Sequence, residues 1–417
     1  MFLDIAINFT YFYLAIAKLF IYLFILYLYR LIMEYHEVAI VGGGPAGSSC
    51  ASELAKNDID VVLFDHSHPR EKLCGGAISG RHLKELKIPE DIIEREINWI
   101  IVEDQHGHSV KLYEKNGGIV LMREKLDYYL FQKSKYDGSK QIKERVISFE
   151  EKKNKWILKT NKGIYKSNFL VGADGCPSLI RKKILGDIPK EHLAHCVGYH
   201  IPHEKFYIKK NFGDAIELYF LGKPYVDLGY IWIFPKMDFV TIGLGTKLGS
   251  LQIQNSLKKF VDEHPKTKRL IFPKKITLHS HLLPFVSSPD FYQKRITGKN
   301  WVLIGDAAGH VNPITGEGIY YAMTGGKLAA KSYLDEDISL FEKYWRCEYG
   351  GDLYYGSRFH NLFYNPKLID TVINIGNKSP KMREILSDII ASRVPLDKLF
   401  KRKLLIGLPK IFLEYVL

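Results

Sequence analysis

The chain has 417 residues, of which 46% are hydrophobic, 25% are charged and 13% are aromatic. This composition is typical of a globular protein, and the length suffices for two joined domains or one large α/β unit. The formal net charge of +13 would suit nucleic acid, an anionic membrane surface or a phosphate-bearing substrate. No zinc-finger spacing, RNA-binding signature or basic stripe with interleaved aromatic residues accompanies the charge, so we expect no nucleic-acid partner.

The first hydrophobic segment runs from Ile5 to Tyr29 and contains fourteen Leu, Ile or Phe residues among twenty-five. It is long enough to cross a bilayer, although Lys18 near its middle would cost about 2.5–3.5 kcal/mol. As an anchor, it would leave the chain after Arg30 on the cytoplasmic face of the membrane. The alternatives are an interfacial helix or an over-extended start, with Met33 as the effective beginning of a peripheral protein.

The next stretch is a strand, a glycine turn, a helix and a second strand, which is the opening unit of a nucleotide-binding fold. In "GGGPAG" the spacing G-x-G-x-x-G falls on Gly42, Gly44 and Gly47, with Pro45 and Ala46 between them. Such glycines let the backbone approach a pyrophosphate at the amino end of the helix. The second strand ends in Asp65, an acid placed to accept hydrogen bonds from a ribose hydroxyl.

The remainder alternates between strand and helix patterns without internal repeats. These patterns predict an α/β protein in which a βαβ core is interrupted by antiparallel strands and followed by a basic helical cap. We place the boundaries as follows: a hydrophobic segment 1–33, a first nucleotide-binding part with inserted strands 34–190, an antiparallel sheet domain for the substrate 191–297, a second nucleotide-binding part 298–336, and a helical region 337–417.

Two later motifs indicate which nucleotide-binding fold this is. "FLVGADGCPSLIR", with Asp174 and Gly175, resembles the D-G motif of flavin monooxygenase-type folds of the p-hydroxybenzoate hydroxylase kind. "VLIGDAAGHVNPITGEGI", with Asp306, resembles their G-D motif, and "REKLD" resembles the segment whose arginine, here Arg123, faces the cofactor. The resemblance implies that the protein binds FAD and that residues 34–190 and 298–336 are the two FAD-type parts of the chain.

The same resemblance assigns positions within the G-D motif. It implies that Asp306 bonds the ribityl chain and that the loop from Pro313 through Gly316 to Gly318 lies against the isoalloxazine ring. Only one full G-x-G-x-x-G is present, so a second nucleotide domain has no sequence from which to form. We therefore expect transiently bound NAD(P)H or a ferredoxin-type carrier to deliver the electrons.

Across about residues 34 to 390 the chain resembles the geranylgeranyl reductase family, including archaeal digeranylgeranylglycerophospholipid reductases. The resemblance rests on Cys74-Gly75-Gly76 and on "YIWIFP", which contains Tyr230, Trp232 and Phe234. The proline that leads the family's second motif is replaced by Asp227. The resemblance implies an isoprenoid chain held in an apolar tunnel, and saturation of its double bonds by hydride transfer from reduced FAD.

Several roles stay open on the sequence alone. Tyr230, Trp232 and Phe234 share one face of a strand, as cavity wall or as ordinary sheet core. Cys74 is interpreted as cavity wall, proton-handling thiol or buried filler, and His310 as an acid or a loop hydrogen-bonder. An FAD-dependent monooxygenase, hydroxylase or halogenase, and a non-catalytic flavin-binding protein, are the alternative functions.

Cysteine and histidine usage favours no metal centre. The five cysteines are odd in number and include no Cys-x-x-Cys pair, which excludes a disulfide scaffold. His279 and His281 have no carboxylate or cysteine close in sequence, so we predict no metal site. A basic helix with Lys398, Lys401, Arg402 and Lys403 is a candidate for contact with lipid headgroups, or a cap packed on the enzyme.

Overall fold

The computed structural model describes residues 33–249, 252–273 and 276–399, together with Ile16, Lys18, Phe20 and Ile21. The expected anchor, apart from those four positions, and the basic positions 401–403 lie outside the described residues. Within the described ranges, no helix is both long enough and apolar enough to cross a membrane.

The first sheet carries the glycine loop. The strand order is β15-β16-β9-β1-β2-β6, and β1 pairs with β2 and with β9 in parallel. β8 pairs with β9 and with β7, and both of these pairs are antiparallel. The four residues that end β1 are buried, as expected for a parallel strand covered on both faces. The strands are β1 (Glu34–Val41), β2 (Val61–Phe64), β6 (Lys140–Ile142), β7 (Val146–Lys152), β8 (Lys155–Thr160), β9 (Ile164–Gly172), β15 (Thr297–Gly298) and β16 (Trp301–Leu303).

The second sheet has the order β14-β10-β13-β12-β11-β4-β5-β3. Its pairs are antiparallel except for β11 with β4, which is parallel. The strands are β3 (Ala77–Ile78), β4 (Ile93–Asp104), β5 (Ser109–Leu121), β10 (Leu193–Pro202), β11 (Ala215–Phe220), β12 (Gly229–Pro235), β13 (Phe239–Lys247) and β14 (His279–Pro284).

The second sheet is built from two separate stretches of chain. The strands between residues 77 and 121 pair with those between 193 and 284, whereas the sequence boundaries kept the earlier strands within the first FAD-type part. Alternating hydrophobicity identifies a strand but not its partner, and the partner here lies about a hundred residues further along. The second sheet thus reaches back to the segment that follows the glycine loop.

The helices cover both sheets. α1 packs on α7 so closely that a Cβ on Gly326 would lie 2.3 Å from the Ala46 carbonyl oxygen. The helices are α1 (Pro45–Ala55), α2 (Gly80–Leu86), α3 (Arg123–Tyr136), α4 (Leu179–Leu185), α5 (Lys205–Phe212), α6 (Ile253–Glu263), α7 (Ile319–Leu334), α8 (Leu340–Glu348), α9 (Gly350–Phe363), α10 (Pro366–Lys378), α11 (Pro380–Ile390) and α12 (Leu396–Leu399).

The two faces of the second sheet have different neighbours. Ile231 and Ile233 of β12 belong to a core that also contains Ile208 of α5 and Leu257 of α6. The alternate residues of β12 face the other way, into a core that includes residues of α10 and α11. Since side chains alternate along a strand, this arrangement directs the aromatic residues of β12 away from α5 and α6.

Candidate FAD and substrate site

A cavity of about 890 Å³ lies between the two sheets. Most of the residues singled out in the sequence line it: Gly42, Gly44, Pro45, Ala46, Asp65, Cys74, Gly75, Gly76, Arg123, Asp174, Tyr230, Trp232, Phe234, Asp306, Gly316 and Gly318. Its walls are of two kinds, one polar and formed around the glycine loop, the other apolar and formed by the second sheet. The cavity is large enough for a cofactor and part of a chain-like ligand.

The glycine loop is closed so tightly that side chains are excluded at Gly42 and Gly47. Gly42 has φ +105°, and a Cβ there would lie 2.3 Å from the Ala173 carbonyl oxygen. A Cβ on Gly47 would lie 1.9 Å from the Gly42 carbonyl oxygen, which explains why Gly47 supports the loop without lining the cavity. Gly44 directly precedes α1, so the free backbone N–H groups of its first turn are available to a phosphate.

Asp65 stands at the end of β2, beside the glycine loop. Its carboxylate accepts hydrogen bonds from the Gly43 backbone N–H at 2.8 Å and from the Ser67 hydroxyl at 2.5 Å. Burial alone would raise the pKa of Asp65, but these hydrogen bonds lower it below the usual value. The carboxylate is therefore ionised at neutral pH and suited to accept bonds from ribose hydroxyls.

Asp306 lies across the cavity in a short turn, Gly305–Ala308, that follows β16. The ammonium of Lys72 donates a hydrogen bond to its Oδ2 at 3.1 Å. Burial would raise the pKa of Asp306, but Lys72 and the nearby His281 bring it below its usual value. Asp306 thus offers a charged acceptor to a hydroxyl-bearing ligand.

Two further predicted residues of the polar part are held by local contacts. Arg123 donates two hydrogen bonds, each of 2.8 Å, to the carboxylate of Asp127 one helical turn away. Asp174 accepts from the Ser178 hydroxyl at 2.5 Å and from the Ile180 backbone N–H at 3.1 Å, which ties it to the start of α4. Both therefore line the cavity in fixed positions.

The aromatic residues of β12 form the apolar wall and also position the loops at its ends. The Tyr230 hydroxyl donates to the Thr315 carbonyl at 2.5 Å and so holds the loop before Gly316. The Phe234 ring lies under Gly75, where a Cβ would be 2.4 Å from the ring. Trp232 lines the cavity, and its Nε1 has no hydrogen-bond partner within the part of the chain that is described.

The Cys74–Gly76 turn lies where the polar and apolar parts meet. Cys74 is half-buried, and its Sγ accepts a hydrogen bond from the Gly76 backbone N–H at 3.2 Å. Gly76 adopts φ +69°, and its carbonyl accepts from the Leu121 backbone N–H at 3.0 Å. The turn is thus anchored to β5 with the thiol beside the cavity.

His310 lies elsewhere. It does not line the cavity, it is 1% exposed, and its Nδ1 is 3.0 Å from the Tyr349 hydroxyl. Its ring packs against Trp345, and burial lowers its pKa to about 3. The structure therefore gives His310 contacts behind the G-D loop and no route to a reacting atom, which favours the loop hydrogen-bonder over the acid.

The fold brings to the cavity polar residues that no sequence motif singles out. Lys72 pairs with Asp306, and His281, considered only for metals, lines the cavity near that pair. Burial, with Lys72 nearby, lowers the pKa of His281 to about 3. Alternation along β14 places His279 and His281 on one face, but only the fold shows which face. No group of three or more His, Cys, Asp or Glu suited to a metal ion occurs within the described ranges.

These residues fit FAD. One cavity is faced by a loop closed at Gly42, a helix start for a pyrophosphate, Asp65 for a ribose and Asp306 for a ribityl chain. His281 adds a buried Nε2 that no described group satisfies. The Cys74–Gly76 turn and the Gly316–Gly318 loop would then lie near the ring system, and the apolar wall continues beyond them.

Comparisons with known proteins agree with this geometry. Residues 40–115 match the model of the NAD(P)-binding Rossmann-like domain. The chloroplastic geranylgeranyl diphosphate reductase of Arabidopsis thaliana is 29% identical, and the match covers 72% of this chain and 66% of that protein. The digeranylgeranylglycerophospholipid reductase of Methanococcus vannielii is 27% identical, over 76% of this chain and 84% of the relative.

Solved structures show the same fold. A geranylgeranyl bacteriochlorophyll reductase-like protein from Thermoplasma acidophilum superposes with a TM-score of 0.74 at 20% identity, covering 92% of this chain and 98% of that one. The flavin-dependent brominase Bmp2 gives a TM-score of 0.68 at 16% identity, covering 90% and 100%. The predicted flavin-type fold is confirmed, and so is the predicted resemblance to geranylgeranyl reductases.

Proposed function

We propose that the protein is an FAD-dependent reductase that saturates carbon–carbon double bonds in the geranylgeranyl chains of membrane lipid precursors. The observation that carries the proposal is the continuity of the cavity, in which the apolar wall of β12 leads directly to the cofactor part at Cys74–Gly76. The names of the relatives point to the same substrate class. This activity acts on a CH–CH group and needs a reductant.

An apolar chain is bound by the second sheet. Ile97, Ile216, Leu218 and Phe220 line the cavity beside the aromatic row of β12. Each buried methylene of a chain that contacts these side chains contributes about 0.8 kcal/mol. Because an isolated alkene has no carbonyl to polarise it, orientation of the double bond and exclusion of water are the contributions this wall makes.

When bound and reduced, FAD supplies the hydride for one alkene carbon. The other carbon needs a proton. Cys74 is the cavity-lining thiol nearest to the junction of the two parts, so we assign it either to that proton transfer or to holding the chain against the ring. Cys196 also lines the cavity but is more deeply buried, and burial raises its pKa to about 12.

The electron donor and the location complete the proposal. NAD(P)H or a ferredoxin-type carrier reduces the flavin from outside, since the chain shows a single nucleotide-binding motif. A lipid substrate requires contact with a membrane surface, which the net charge of +13 would favour when the lipids are anionic. The expected location is the cytoplasmic face of the membrane.

The test is an anaerobic incubation of dithionite-reduced protein with a geranylgeranyl lipid, followed by mass spectrometry. We expect two hydrogens to be added per double bond without oxygen. Cys74→Ser should slow this turnover at least tenfold, and the matched Cys196→Ser variant should change it less than twofold. Turnover that requires O₂ and inserts oxygen or a halogen would replace the reductase with a monooxygenase or halogenase.

A further inference from the structure

The alternating row on β12 continues past its aromatic residues into a buried lysine. Lys236 follows Phe234 by two residues, and its backbone N–H donates to the Phe239 carbonyl at 2.7 Å, which closes the turn into β13. The side chain has an exposed fraction of 0%. Lysine is almost never fully buried unless it is paired, so this position requires an explanation.

The ammonium of Lys236 lies directly behind the Cys74–Gly76 turn. It donates a hydrogen bond to the Gly75 carbonyl, and a Cβ on Gly76 would lie 2.9 Å from Nζ. Gly75 and Gly76 line the cavity but Lys236 does not, so the turn separates the cation from the cavity. The charge is close to the cofactor part without being accessible to a ligand.

Lys236 has no carboxylate partner at salt-bridge distance in the described structure. The nearest acids are already engaged: Glu94 binds Lys125 at 2.6 Å, and Glu71 accepts from the Glu124 backbone N–H at 3.0 Å. Their charges act on Lys236 from a greater distance. A buried cation without a salt-bridge partner exerts its electric field on the groups around it. The cavity on the other side of the turn lies within that field.

We propose that Lys236 is a positioning residue, which holds the Cys74–Gly76 turn through the Gly75 carbonyl and whose positive charge favours the reduced state of the bound cofactor. Reduction adds electrons, and hence negative charge, to the ring system that this turn faces under the proposed function. A fixed cation in a poorly solvated site stabilises such charge without reorganisation. The aromatic residues of β12 would thus contact the lipid, while Lys236 would act on the flavin that reduces it.

The charge of Lys236 is itself sensitive to pH. Burial lowers its pKa to about 8, while Cys74, Glu94 and Glu71 oppose that shift. Among the described residues, the charge of Lys236 also acts on His200. Burial lowers the pKa of His200 to about 4, so its ring is neutral near pH 8. Below pH 8 the cation is present, and above pH 8 it is lost, so its effect on the cofactor should fade as the pH rises through about 8.

The experiment compares two variants of the FAD-loaded protein. Lys236→Gln keeps an N–H donor for the Gly75 carbonyl but removes the charge, whereas Lys236→Met removes both. The midpoint potential is measured by equilibration with reference dyes, and Cys74 alkylation by iodoacetamide is followed by peptide mass spectrometry. Exposed Cys347 is the internal reference for alkylation, and Lys152→Met, at an exposed position of β7, is the control for net charge.

We expect both variants to lower the equilibrium constant for two-electron reduction about tenfold, which corresponds to ~30 mV. This difference should be present at pH 7 and fade above pH 8, where the wild type also loses the charge. Because both variants lack the charge, their alkylation is compared with each other: Lys236→Met should be alkylated at Cys74 several times faster than Lys236→Gln, since only Lys236→Met releases the turn.

A wild-type potential in Lys236→Gln, or equal rates of Cys74 alkylation in Lys236→Met and Lys236→Gln, would overturn the inference. If Lys236→Met fails to retain FAD, its apoprotein still reports alkylation and Lys236→Gln still reports the potential. None of these measurements uses a lipid. A protein that does not reduce geranylgeranyl chains would therefore refute the proposed function while leaving this result unaffected.

Discussion

Gly47 and Gly44 show how differently two glycines of one motif act. A side chain at Gly47 would collide with the Gly42 carbonyl, whereas a Cβ on Gly44 has its nearest neighbour, the Arg70 guanidinium, at 3.8 Å. The first is needed for the backbone of the loop to close on α1. The second is open on the protein side and leaves room for a ligand.

This difference predicts separate effects on the protein without cofactor. Gly47→Ala should lower the free energy of unfolding by about 3 kcal/mol, because the loop must shift to relieve the collision. Gly44→Ala should leave that free energy within about 1 kcal/mol and act on FAD affinity instead. Urea unfolding and flavin titration of the two apoproteins check this, and equal destabilisation by both would contradict the role of Gly47 in loop closure.

The buried His310 should make the stability of the folded protein sensitive to acid. Its pKa is about 3 in the folded protein and about 6.5 when unfolded, since burial disfavours the charged ring. The unfolded state therefore binds the additional proton between these values, and stability that is present above pH 6.5 is lost as the pH falls through that range. His281, with a pKa of about 3, acts in the same direction.

The His310→Gln variant isolates this contribution. The variant is expected to be less stable than wild type at pH 7.5. Acidification to pH 5.5 should remove about 1.4 kcal/mol from the free energy of unfolding of the wild type only, because the variant lacks the titrating ring, so the difference between the two proteins should shrink by that amount. Urea denaturation at the two pH values measures the change. A difference that does not depend on pH would show that burial does not lower the pKa of His310 in the folded protein.

Among the elements, β12 combines the most roles. One of its faces forms the cavity wall, while the other, with Ile231 and Ile233, packs in the core beneath α5 and α6. Its aromatic residues also hold the two loops at the cofactor part, through Tyr230 and Phe234. The strand is therefore both scaffold and binding surface.

Neighbouring residues of β12 should therefore respond differently to truncation. Trp232→Ala should raise the KM for a geranylgeranyl lipid about tenfold, because the ring's contact area with the chain is lost. Ile233→Val, on the opposite face, should lower the free energy of unfolding by about 1 kcal/mol and leave KM unchanged. The KM values of both variants are measured by steady-state kinetics. If Trp232→Ala and Ile233→Val have the same KM, Trp232 belongs to the sheet core and does not contact the lipid.

The sequence predicted the elements better than their association. The βαβ unit, the G-D loop and the alternation of β12 are local patterns, and the structure has each where it was expected. The membership of β4 and β5 in the second sheet depends on pairing with β11, far along the chain. For the same reason no local sequence pattern marks Lys72, His281 or Lys236 as functional. Each gains its role only from residues that the fold brings close to it.

For the whole molecule, the described fold begins with β1 at Glu34, which pairs on both sides with strands of the first sheet. Deletion of residues 1–32 should therefore leave the FAD-to-protein ratio unchanged, as measured by absorbance of the purified protein. Partition of full-length and truncated protein between membrane and soluble fractions then tests the proposed location. Loss of FAD on truncation would show that the segment contributes to the cofactor site.

The division of the cavity between two sheets has an evolutionary consequence. Residues that face the cofactor come mainly from one sheet and its loops, and those that face the apolar space come mainly from the other. Substitutions at second-sheet residues that line only the apolar space, such as Ile216 and Leu218, can therefore change which molecule is admitted while the contacts of Tyr230 and Phe234 with the cofactor loops are kept. A reductase-like protein and a brominase share this architecture with the chain at 20% and 16% identity.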